Sequence, residues 1–333
     1  MADWDALEAL LARTLYADCG WLAGEEGCLL TVEPVATPRR DRERWAQLAF
    51  EAFNVAGFFA LDAPVAALYA VGRPSGTVID VGHDKTDVAV VLDGGVVPGS
   101  VTRMASGGAA AEALLAARLA GRGVDVGGLD PVALRAAKQA VAAVRPSREA
   151  ALADMAGGNE PAAAHTLPDG TPLPPLTPAD GVAAGECLAS PADAASVRPA
   201  LAGQDCLAEV ALAAVAAAGG EAAAVSSTSS STTLAARRSA AEAFVLVGGG
   251  SRVPGLGARL AADVRASLPA WCSSPPAWPE APSYLPPDSA GPLAAWSGGA
   301  IAARVVFVQN QHASRADYDE MGPVAIFRRG ACG

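Results

Sequence analysis

Thr77-Val78-Ile79-Asp80-Val81-Gly82-His83-Asp84-Lys85-Thr86-Asp87 runs an apolar strand up to a carboxylate, turns at a glycine and enters a second strand. A second stretch, Phe244-Val245-Leu246-Val247-Gly248-Gly249-Gly250-Ser251-Arg252-Val253-Pro254-Gly255, ends a Val-rich strand on three glycines and leads into a helix. A strand-end carboxylate can organise a metal and its waters, and glycines let backbone approach a sugar, a base or a phosphate. A triple glycine alone reads as a turn. Set between a strand and a helix, it becomes a candidate ligand loop.

Working outward, Thr77 to Asp80, Asp87 to Leu92 and Val96 to Thr102 read as strands, with Asp93-Gly94-Gly95 as a hairpin turn. Gly107-Gly108 precede an Ala/Leu helix, and Asp130-Pro131 start another with a favoured cap and first-turn proline. Upstream, Asp3 caps a helix with Trp4, Leu7 and Leu11 at helical spacing, and Trp45, Leu48, Ala49, Ala52 and Phe53 form a second stripe. Between them Cys28 to Val32 reads as a buried strand. Helix, strand, helix is the opening of an α/β layer. Residues 145 to 193 are rich in Pro, Ala and Gly and are expected as mobile loops. Ser226 to Thr233 reads as a solvated insertion and Pro275 to Pro292 as a connector, with helices expected at Ala300 to Phe307 and near Ser314 to Tyr318.

The 333 residues suffice for one large domain or two lobes. A formal charge of -11 and a pI near 4.8 argue against direct nucleic-acid binding, whose affinity comes largely from Lys and Arg on phosphates. Any link to DNA is therefore expected through a partner. Six cysteines show no CxxC pair or His/Cys cluster, which removes the usual zinc spacings and leaves free thiols. Despite a mean hydropathy of +0.27, much of it from alanine, no membrane span and no secretory leader is expected. His83, His165 and His312 sit in no nucleophile-elbow or HExxH setting.

The two turns resemble the phosphate and adenosine turns of the actin family. So do Leu29-Leu30-Thr31, Phe50-Glu51-Ala52-Phe53-Asn54, Leu68-Tyr69-Ala70-Val71-Gly72-Arg73, Leu167-Pro168-Asp169-Gly170, Trp296-Ser297-Gly298-Gly299-Ala300-Ile301 and Asp317 to Pro323, all in actin order. The wording Tyr69 to Arg73, Asp80 to His83, His165 to Gly170 and Phe307 to His312 resembles a nuclear, chromatin-remodelling branch of that family. The fold this implies is a two-lobed, actin-like α/β fold of the ribonuclease H-like type, expected to be N-terminally incomplete because the family's opening hairpin has no counterpart here. The first lobe is expected at 1–70 and 294–333, the second at 71–106 and 217–293, and a further segment at 107–216.

By the same resemblance ATP with Mg is the implied cofactor. Asp80, also the implied metal residue, and Gly82 match the phosphate turn; Gly108 matches a cleft glycine; Lys138 matches a base-side lysine; Gly248, Gly249 and Gly250 match the adenosine loop. Several positions depart from the family. His83 and Asp84 replace an acidic residue and a glycine, Gln139 replaces the ribose carboxylate, and Asp87 replaces a histidine. At the place of the water-orienting glutamine stands Ala63, whose side chain cannot hydrogen-bond water. Without a metal-ligand partner, His83 reads as a plain loop histidine. A partner groove at the lobes' base is implied with walls Tyr69, Gly72, Ala302, Val305 and Phe307, suited to i, i+3, i+4, i+7 anchors, unless these residues simply pack lobe on lobe. Two functions follow as expectations. One is a non-catalytic scaffold in the nucleus, working with a remodelling ATPase helix and other actin-related proteins. The other is a slow ATP-binding and ATP-hydrolysing actin-like cytoskeletal protein, with the cytoplasm as the alternative location.

Overall fold

A computed structural model describes residues 3–22, 27–127, 130–157, 175–225, 230–269, 272, 275–279, 282–283 and 285–329. Among the described residues run eight strands: β1 (Cys28–Glu33), β2 (Gly57–Asp62), β3 (Gly76–Val81), β4 (Thr86–Leu92), β5 (Gly95–Val96), β6 (Thr102–Met104), β7 (Phe244–Val247) and β8 (Ala313–Ser314). The chain divides into two compact units, one of Met1–Pro74, Asp93–Val96 and Ala294–Gly333, the other of Ser75–Leu92 and Val97–Leu293.

In the first unit β1 and β2 pair in parallel, from Cys28 opposite Gly57 to Glu33 opposite Asp62, and β8 joins β2 antiparallel. Parallel neighbours need a crossover. It is supplied by the helix Arg39–Gln47, which widens into a π turn over Leu48–Ala52 and buries Leu48, Ala49 and Phe50. Phe50 stacks on Tyr318 with ring centroids 4.5 Å apart and meets Phe58 edge-on. This aromatic cluster ties the crossover to β2 and to the helix Arg315–Met321, whose Ser314 and Asp317 form a reciprocal capping box. The N-terminal helix Trp4–Ala12 is capped as expected, the Asp3 carboxylate accepting from the Ala6 amide. β1 differs from expectation. Cys28 is exposed and only Glu33 is buried, because among the described residues β1 pairs along a single edge.

In the second unit β3 is the hub, antiparallel to β4 and parallel to β7, with β6 on the far side of β4. Ile79, Val81, Val88, Val90 and Phe244 enter one core with Leu115 and Leu119 of the helix Gly108–Gly121, Leu207 and Val215 of Leu207–Val225, and Leu256 and Leu260 of Leu256–Ala266. Residues of the segment 107–216 share this core with the sheet. The hairpin turn stands where the sequence puts it, Asp93 and Gly94 both at positive φ, 51° and 82°. The expected strand from Val96 to Thr102 is broken by a 3-10 turn at Pro98–Ser100, since proline gives no amide to a ladder.

Of the mobile loops expected over 145–193, residues 158–174 lie outside the described residues, and the described parts are the largest correction. Residues Arg148–Gly157 and Pro178–Ala189 are helices, and every residue of the second after Pro178 is buried. Small side chains here allow close approach instead of weakening the core. A Cβ added at Gly181 or Gly185 would lie 2.1 or 2.2 Å from the carbonyl oxygens of Val141 and Ala143. Thr177 and Asp180 cap the helix reciprocally, and the buried Asp180 is paired with Arg118 and Arg122 at 3.0 and 2.8 Å. Two further boundaries move. The tract from Ser226 is helical from Ser230, in Ser230–Glu242, and the proline-rich connector ends early in the helix Pro287–Val306. Ser226 to Ser229, the motif His165 to Gly170 and Cys332 lie outside the described residues.

Candidate functional site

Both glycine turns, with Gly108 and Lys138, fall within the second unit and converge there. β3 ends one residue beyond Asp80, and the parallel pairing of Asp80 with Val247 brings Gly248 alongside. Gly248 sits at φ 86°, and a Cβ there would lie 2.3 Å from Asp80 Oδ1 and 2.6 Å from the Val81 carbonyl oxygen. Only glycine meets both demands. The turn after β3 is closed by the Gly82 amide donating to the Lys85 carbonyl at 2.9 Å, and it is fastened to the helix Gly108–Gly121 by amides of Gly108 and Ala109 donating to the carbonyls of Gly82 and His83. The result is a cleft of about 370 Å³, within the range of small-molecule sites. Its floor is Gly82, Gly108, Gly249 and Gly250, its apolar wall Ala111, Ala142, Leu188 and Val253, and its polar rim His83, Arg135, Lys138 and Gln139.

Glu112, one helical turn beyond Gly108, organises that rim from behind. Lys138 Nζ donates to Glu112 Oε1 at 2.7 Å and to the Gly108 carbonyl at 3.3 Å, while Arg135 Nε and His83 Nδ1 stand 3.5 and 3.9 Å from the same carboxylate oxygen. His83 is thus a cleft residue as well as a loop residue. Arg135 and Glu112 escaped the sequence reading, although each lies at helical spacing from a residue singled out, Lys138 and Gly108.

At the turn itself, Asp80 and Asp87 stand opposite each other in the β3–β4 register. Asp87 is buried and fully engaged, accepting from Lys85 Nζ at 2.6 Å and from Arg103 Nε and a second guanidinium nitrogen at 2.7 and 3.1 Å. Burial, followed by the charge of Asp87, raises the Asp80 carboxyl above its ordinary value, and Lys85 partly offsets the rise. Asp84 is 87% exposed. Among the described residues no three His, Cys, Asp or Glu side chains gather to hold a metal ion. The cleft therefore fits a nucleoside with its backbone glycines, whereas for magnesium this unit offers Asp80 with a lysine beside it, a poor match to the oxygen-rich shell that ion takes.

The five residues expected to wall a groove all belong to the first unit. Tyr69 and Phe307 are half-buried, Phe307 packing edge-on against His312 at 5.1 Å, while Gly72 is exposed at φ 68°. Ala302 is a correction: at 3% exposed it supports a surface without lining one, because its face of the helix Pro287–Val306 turns inward. Val305 is 48% exposed and is joined by two residues not singled out, Ile301 one turn before and Val308 just beyond the helix. Ile301, Val305 and Val308 follow i, i+4, i+7 spacing, and Trp296, 67% exposed, lies earlier on the same helix.

A chain with an α/β fold in two compact units and two glycine turns closing one cleft is of the actin type, and the chain belongs to the actin family: the family described as Actin matches residues 1–129 and 130–331. Among curated proteins it is similar to Actin-related protein 7 of Arabidopsis thaliana, 35% identical over 329 residues, which cover 98% of this chain and 82% of that protein. Actin-related protein 7 of Oryza sativa subsp. japonica is 34% identical over 98% of this chain and 83% of its own length. Actin-like protein 9 of Bos taurus is more distant, 27% identical over 99% and 71%. No helix among the described residues is long and apolar enough to cross a membrane.

Proposed function

We propose that this actin-related chain is a non-catalytic scaffold subunit of a nuclear chromatin-remodelling complex, holding a helical segment of the remodelling ATPase alongside other actin-related proteins. The observation that carries this reading is the exposed apolar stripe Ile301, Val305 and Val308, the spacing at which an amphipathic helix presents its own anchors. Ala63 at the head of the helix Ala63–Ala70 supports the non-catalytic part, since its side chain cannot orient an attacking water. Nucleotide, held by Asp80, Gly82, Gly108, Lys138 and Gly248 to Gly250, then serves structure. Fluorescence anisotropy of a labelled remodelling-ATPase helix against the full-length protein tests the proposal. Saturable binding that Val305→Asp weakens at least about tenfold is expected. Absence of saturable binding refutes it.

The second reading, a slow ATP-hydrolysing actin-like cytoskeletal protein, draws support from the half-buried Asp80 carboxylate at the cleft's turn. It requires phosphate release above background that Asp80→Ala abolishes. Release indifferent to that substitution eliminates it.

A further inference from the structure

Two helices that wall the nucleoside cleft also wall a second cavity. Gly108–Gly121 and Pro178–Ala189 reach the cleft with Ala111 and Leu188, and elsewhere on the same two helices Leu114, Ala117, Ala183 and Glu186 line a separate space of about 440 Å³. The helix Arg148–Gly157 adds Leu152 and Met155, and Val197 completes the apolar wall. Leu152 is 52% exposed, so this wall keeps apolar surface in contact with water. Small-molecule sites are apolar cavities of this size with a few convergent polar groups. Here those groups include two carboxylates, Glu186 and Asp193.

Their charge selects the ligand. Glu186 is buried and accepts from the Arg145 amide and the Arg259 guanidinium, yet these partners do not offset its desolvation, and Asp193 adds to the rise of its carboxyl. Arg259 is itself divided between Glu186 and Asp263. Asp193 is met by Arg148, a half-exposed side chain that is no part of the lining. The single cation of the lining, Arg118, is held by the buried carboxylate of Asp180 at 3.0 Å. Positive charge is therefore in short supply on the cavity side, and an ammonium group there gains an attraction that an alcohol of the same shape does not. A carboxylate accepts at about four sites, so both acids can take a further donor without giving up the bonds they have.

We infer that this cavity is a second ligand site, separate from the nucleoside cleft, that takes a small organic ammonium ion, its apolar body against Leu114, Leu152, Met155 and Val197 and its head facing Glu186 and Asp193.

Calorimetric titration of the full-length protein with phenethylammonium, phenethyl alcohol and phenylacetate tests this, since the three share an apolar body and differ in the charge of the head. The ammonium is expected to bind at least about tenfold more tightly than the alcohol, and phenylacetate more weakly than either. Asp193→Asn is expected to bring the ammonium within about threefold of the alcohol while leaving the alcohol's own affinity unchanged. Ala117→Trp, at an exposed position of the rim, is expected to abolish binding of all three by filling the cavity, and thermal melts show that both variants fold. Excess adenosine, a ligand for the cleft, is expected to leave ammonium binding intact. Absence of saturable ammonium binding overturns the inference, as does equal affinity for the ammonium and the alcohol. Parent-like binding by Ala117→Trp, parent-like discrimination by Asp193→Asn, or displacement of the ammonium by adenosine would each overturn it as well.

Discussion

Gly248 shows how one position can be over-determined. Its φ of 86° and the 2.3 Å that would separate a Cβ from Asp80 Oδ1 are independent demands. Gly248→Ala is expected to cost about 1–3 kcal/mol, read as a lower melting temperature, and to disturb Asp80 even where the fold survives. Glu186 offers a pH signature. It is buried, accepting from the Arg145 amide at 2.7 Å and from Arg259 at 3.1 Å, yet burial outweighs these partners and raises its carboxyl above the ordinary 4.5. A raised carboxyl keeps its proton in the folded chain where the unfolded chain has lost it. Its contribution to stability is therefore present below the ordinary value and is lost as pH rises through the folded one. Melting curves of the parent and Glu186→Gln at successive pH values upward from 4.5 should show the parent's advantage shrinking as pH rises. The turns at Asp80, Gly82 and Gly248 were legible in the sequence because an apolar strand that ends on an acid or on glycines marks a turn. Glu112 and Lys85 were not, since a charged residue on a helix or a turn looks solvated until its partners are placed.

Among the elements, the helix Pro178–Ala189 carries the clearest lesson. Its residues have little apolar bulk, so composition reads as loop, but Gly181 and Gly185 let it lie against the backbone carbonyls of Val141 and Ala143. Contact of that kind needs absence of side chain, which hydropathy patterns do not score. Gly185→Ala would place a methyl 2.2 Å from the Ala143 oxygen and is expected to cost about 1–3 kcal/mol by overpacking. Thr177→Ala, removing only the cap, is expected to cost about 1 kcal/mol. Denaturant unfolding of the two variants ranks them, and a smaller loss for Gly185→Ala than for Thr177→Ala would contradict the close-packing account. β3, β4 and β7, by contrast, were legible because their Val-rich runs end on glycine or a polar residue. The helix Pro287–Val306 was only half legible, its prolines disguising its start.

For the whole molecule, the formal charge of -11 sets the relation to DNA. The protein alone is expected to leave duplex mobility unchanged in a gel shift at physiological salt, and a shift at that salt would contradict the expectation. Family membership was legible in short motifs spread from end to end. The division into two units was less so, because residues 107–216 share their core with a sheet assembled from strands more than a hundred positions apart. That division has a further consequence. Both glycine turns and the whole cleft lie in the unit Ser75–Leu92 and Val97–Leu293. A ligand seated there would slow amide hydrogen exchange around Gly248 and, through the Gly248 amide that donates to the Gly291 carbonyl at 3.2 Å, at the start of the helix Pro287–Val306. The first turns of that helix would thus act as a clock for occupancy of the cleft, readable without any measure of activity.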